Sequence, residues 1–116
     1  MSILTMPIIM YVSDASGQDL GRVQIETNED GRLFGTFEPG SEYPGVEPIF
    51  RHFADVVEQH AFSYLDAAED AIARLGITIQ FDGQSQAHPA KDVQIYPEGE
   101  FSCRSLRGVE SNGTAH

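Results

Sequence analysis

His52 and Asp55 stand three residues apart, a spacing that brings two side chains together on one face of a helix, and an imidazole beside a carboxylate is the smallest general acid–base pair. The loop at residues 39–48, rich in Pro and Gly, would wall such a site, with the phenol of Tyr43 pointing in from the loop. The competing reading of His52 is a solvated residue at the helix boundary. His60 falls on the apolar face at the end of the same helix, where an imidazole can serve the last carbonyls and the helix dipole. Cys103 has strand-like neighbours and no lysine beside it, so it reads as a buried structural thiol. As the one cysteine of the chain it excludes an intrachain disulfide.

Further chemistry needs spacings that the sequence does not offer. It contains no HExxH, no CxxC and no EF-hand loop, so no metal ligands are expected. Gly31, Gly35 and Gly40 fit neither a dinucleotide nor a phosphate-loop pattern, and no serine lies in GxSxG, so neither a cofactor nor a catalytic nucleophile is expected. Ser63, three residues before Asp66, reads as a helix N-cap.

Charge is the feature that stands out. Seven Lys and Arg against 18 Asp and Glu give a formal net charge of −11, which repels phosphate backbones and anionic membranes. Nucleic-acid and membrane binding are therefore not expected. The first residues carry no Lys or Arg and are interrupted by Pro7, unlike a secretory leader, so a cytoplasmic location is expected. Eight acids (Glu38, Glu42, Glu47, Asp55, Glu58, Asp66, Glu69, Asp70) face one base, Arg51, between residues 38 and 70. Asp66 and Asp70 are like charges one helical turn apart, a repulsion of about 0.2–0.5 kcal/mol.

The elements that must carry these residues are legible from periodicity. Residues 7–13 form an apolar, β-branched run closed by the turn Asp14-Ala15-Ser16-Gly17. Val23, Ile25 and Thr27 alternate with Arg22, Gln24 and Glu26, and after Asn28-Glu29-Asp30-Gly31 the chain returns through Leu33, Phe34 and Phe37, which predicts a hairpin. Val46, Ile49, Phe50, Phe53, Val56, Val57 and His60 share one face of a first helix. Leu65, Ala68, Ile72 and Leu75 share a face of a second, over residues 64–75, with Gly76 at its end. Period two then resumes at Ile77, Ile79 and Phe81 and again at Val93 and Ile95, and Phe101 and Cys103 hint at a sixth strand.

The order β-β-β-α-α-β-β predicts an α+β domain over residues 1–104, an antiparallel sheet of about five strands with two helices packed on one face, followed by a disordered tail at 105–116. Arg22, Gln24, Glu26, Thr78, Gln80 and Gln94 would line the uncovered face, with Phe34 and Tyr96 among them.

Together these features favour a small non-catalytic binding module that docks a basic partner protein through Asp55, Glu58, Asp66, Glu69 and Asp70 on its helical face. The alternatives are a ligand-binding protein or enzyme with its pocket at Tyr43 and His52, and a structural homo-oligomer, such as a homodimer, joined through the open sheet face or an edge strand.

Overall fold

A computed structural model describes residues 8–105 of the chain. Six strands and two helices follow one another as β1 (Ile8–Ser13), β2 (Asp19–Glu29), β3 (Arg32–Pro39), α1 (Glu47–Glu58), α2 (Leu65–Ala73), β4 (Thr78–Phe81), β5 (His88–Ile95) and β6 (Glu100–Ser105). Ser105, read from the sequence as the first residue of the tail, ends β6; residues 106–116 lie outside the described residues.

The early turns form where local chemistry asks for them. The Asp14 carboxylate accepts hydrogen bonds from the backbone N–H groups of Ser16 (2.9 Å) and Gln18 (3.0 Å), closing the turn between β1 and β2. Between β2 and β3 the Glu29–Arg32 pair is joined by Asp30 and Gly31 at φ 55° and 85°, two left-handed residues whose twist matches that of a two-residue hairpin.

The sheet is not open. β1 pairs with β2 on one side and with β4 on the other, and β6 bridges β3 to β5, so the order β1-β2-β3-β6-β5-β4 closes into an antiparallel barrel. The α+β make-up and antiparallel pairing expected from the sequence are present, but the sheet expected to lie open closes through long-range pairings. Two glycines let β2 and β3 curl: Gly21 lies at φ 149°, and a Cβ at Gly35 would overlap the Gln24 carbonyl and press to 2.7 Å from Val23 Cγ1. A bulge between Ile25 and Thr27 shifts the β2–β3 register, so Val23 is buried, Ile25 is half-buried, and Thr27, expected inward, faces out.

One core fills the barrel and runs on into the helices. Met10, Val12, Leu20, Val23, Ile79 and Cys103 are fully inaccessible, and they join Phe50, Phe53, Val56, Ala68 and Ile72 in one cluster. Phe37 stacks on Phe101 at 6.1 Å and meets Tyr43 edge-on at 4.9 Å, while Tyr43 lies 6.0 Å from Phe50, an aromatic chain that ties barrel wall to helix. Each such side chain, fully buried, contributes about 1.5–3 kcal/mol.

Both helices follow the predicted faces, with corrections at their ends. His60 does not enter the core. It is exposed and left-handed at φ 54°, just beyond α1, where its N–H bonds to Val57 O (3.1 Å) and the Ala61 N–H to Val56 O (3.0 Å), the double bond of a Schellman ending. Ser63 is not an N-cap: it lies in a single 3₁₀ turn, Phe62–Tyr64, and Tyr64 occupies the cap position of α2 without a side-chain bond.

Outside the barrel Arg22, Gln24 and Glu26 are exposed and Thr78, Gln80 and Gln94 half-exposed, with the Arg22 guanidinium donating to Glu38 at 2.7 Å. Phe34 lies beneath the Arg32 guanidinium at 5.9 Å, whereas Tyr96 packs 6.3 Å from Phe53 of α1. No helix among the described residues is long and apolar enough to cross a membrane.

Candidate binding groove

The barrel is tight between β2 and β3 and slack between β4 and β5. β4 meets β5 at Thr78–Pro89 and Ile79–His88, with one more bond from the Ala90 N–H to Ile77 O at 3.1 Å. Beyond Ala90, β5 runs on beside β6 while α2 packs alongside it. A groove of about 820 Å³ lies between α2 and this stretch of β5.

Its floor is apolar: Phe53 from α1, Ile72 and Ala73 from α2, Ile77 before β4, and Ala90 and Val93 of β5. Its helical wall carries Asp66, Glu69 and Asp70, spaced so that all three stand on the exposed side of α2. The opposite wall carries Lys91, Asp92 and Gln94, with Arg32 at one end. Four acids and two bases therefore line the groove.

Several of these charges are already engaged. Asp70 pairs with Arg74 at 2.6 Å, and Asp92 pairs with Arg104 at 3.4 Å. The Arg32 guanidinium is turned into the wall, donating to Ser102 Oγ at 3.1 Å and reaching the Asp92 carbonyl at 3.5 Å. Among the described residues Asp66 and Glu69 form no ion pair, so their negative charge is directed to solvent along the groove rim.

The five acids expected to bind a partner are thus divided. Asp66, Glu69 and Asp70 share the groove; Asp55 and Glu58 are exposed on α1 and do not line it. Lys91 and the floor residues were missed by sequence reasoning, because the floor residues read simply as core and only tertiary packing brings β5 beneath α2. A second, smaller hollow is lined by residues 83–86 and His88.

Tyr43 and His52, named for an acid–base pocket, lie outside the linings of both hollows. Tyr43 is 9% exposed, its ring wedged between Phe37 and Phe50, and burial, helped by the nearby Glu47 charge, pushes its hydroxyl up to about 12. His52 is exposed, and neither residue lines the groove or the smaller hollow. Burial pushes the Cys103 thiol up to about 12 as well, with the Arg32 charge opposing, which leaves the sulfur protonated and unreactive at neutral pH. Among the described residues no three His, Cys, Asp or Glu side chains converge as metal ligands would.

No protein-family model matches the chain, and neither a curated protein nor a solved structure matches it.

Proposed function

We propose that this protein is a non-catalytic binding module that docks a basic partner protein along the groove between α2 and β5. The observation that carries this reading is the combination of an apolar floor with a rim on which Asp66 and Glu69 stand unpaired among the described residues. Apolar area supplies affinity and fixes the docked position, while carboxylates left open to solvent steer a cationic partner and reject an anionic one. The whole chain reinforces this preference through its net charge of −11.

Asp55 and Glu58 act in this scheme as a more distant field rather than as contacts, adding to the rate of encounter. A catalytic role through Tyr43 and His52 draws no support from their positions, since one is packed in the core and the other lies on the surface away from both hollows. Barrel closure takes away the open edges on which the homo-oligomer alternative drew, so that alternative falls back on the outer barrel face.

The test is calorimetric titration of the full chain with an octa-arginine peptide at low and at high salt. Binding that weakens steeply with salt and is lost in the Asp66→Lys/Glu69→Lys variant supports docking at the rim. Equal binding by the native chain and the variant would contradict it.

A further inference from the structure

The connection between α1 and α2 exposes more aromatic surface than its structural role requires. Phe62 is 60% and Tyr64 is 64% exposed, and both sit on the 3₁₀ turn Phe62–Tyr64. The turn is held without them. Its backbone is fixed by the Schellman ending of α1 and by the Tyr64 N–H to Ala61 O bond at 2.9 Å, while Ala61 and Leu65 are the residues that pack against the core. The ring of His60 meets Phe62 edge-on at 5.6 Å, and Tyr64 follows in the same connection at the tip between the two helices. His60 holds its place at φ 54°, a conformation that a glycine would adopt without strain.

Charge decides what such a tip can receive. Glu58 precedes the three rings in the chain, and Asp66, the exposed acid of the first turn of α2, follows them and lines the groove. Exposed aromatic rings flanked along the chain by acidic residues suit the guanidinium of arginine, which stacks on an aromatic face and pairs with carboxylates. An ammonium group satisfies the carboxylates but gains less from the rings, because it is more strongly hydrated and is not planar. A rigid turn also presents the rings at low entropic cost, as interface anchors do.

We infer that Phe62 and Tyr64 are arginine-stacking anchors that extend the docking surface beyond the end of α2, so that the partner is selected for arginine over lysine. This inference rests on the groove reading above, and names the partner chemistry that the groove alone leaves open.

The experiment compares octa-arginine with octa-lysine by calorimetric titration of the full chain at low salt. The native chain is expected to favour octa-arginine by about two- to fivefold, the range of an exposed cation–π contact. The Phe62→Leu/Tyr64→Leu variant, which keeps apolar bulk but loses the rings, is expected to bring that ratio close to one while leaving octa-lysine binding intact; its melting temperature verifies the fold. A ratio unchanged in this variant overturns the anchor assignment and leaves the groove reading standing. No binding of either peptide to the native chain overturns both.

Discussion

The β2–β3 hairpin and the β4–β5 seam are both antiparallel pairs in one barrel, yet they are built for different ends. The hairpin is joined by a two-residue turn, pairs continuously from Gly21–Pro39 to Glu29–Arg32 apart from its bulge at Glu26, and buries Val23, Leu33 and Phe37. The seam pairs at Thr78–Pro89 and Ile79–His88 and then yields to α2, and the yielding creates the groove. A closed barrel can therefore hide nearly all its strand edges and still offer a concave surface, provided that one seam is completed by a helix instead of a strand.

The largest effect that sharpens this contrast is expected on the hairpin side. Phe101 pairs with Gly35 across the β3–β6 ladder and stacks on Phe37, so Phe101→Ala should cost about 3–5 kcal/mol in chemical denaturation. Substituting rim residues such as Glu69→Gln should stay within about 0.5 kcal/mol by the same measurement. A rim substitution that unfolds the protein would break the division between a wall that holds the fold and a rim proposed for binding.

Hydrogen exchange offers a second comparison. The Ala90 amide, which closes the seam onto Ile77, should exchange through a local opening at least about tenfold faster than the amides within the β2–β3 ladder, which open only with the whole fold. Equal protection would mean that the seam is as firmly closed as the hairpin.

Alkaline stability tests the buried groups that link wall to helix. The Cys103 thiol and the Tyr43 hydroxyl are each pushed up to about 12 by burial, so the native state holds protons that the unfolded state releases near the ordinary values of 9 and 10. Their contribution is whole below pH 9 and falls as the pH rises towards 12. The melting temperature should decline over that window, and Cys103→Ala should delay the onset of the decline.

A smaller stability change than that of Phe101→Ala, and of opposite sign, is expected at the helix end. His60→Gly removes a left-handed non-glycine residue from the Schellman position and should raise stability by about 0.5–1 kcal/mol in chemical denaturation.

What could be read from the sequence followed the range of the interactions. Period two and the Asp30-Gly31 turn gave the hairpin, and the apolar stripe from Phe50 to Val57 gave α1, because these signals lie within a few residues of one another. Barrel closure depends on β1 meeting β4 and β3 meeting β6, partners about 70 residues apart, and the only local hints were the two glycines inside β2 and β3. The acidic character of the helices was equally plain, but which acids stand over a groove depends on where β5 lies. Composition therefore named Asp55 and Glu58 along with Asp66, Glu69 and Asp70 and could not separate them. His60 was misplaced for a related reason: helical periodicity was extended past the point where the chain turns left-handed.

The most direct test of the docking reading is an amide chemical-shift map of the full chain titrated with octa-arginine at low salt. The account predicts perturbations concentrated on Asp66 to Ala73 of α2 and on Ala90 to Gln94 of β5, joined by Phe62 and Tyr64 if the anchor assignment holds, and their loss in the Asp66→Lys/Glu69→Lys variant. Perturbations spread over the acidic surface, or centred on the Asp30 turn at the hairpin end, would contradict it.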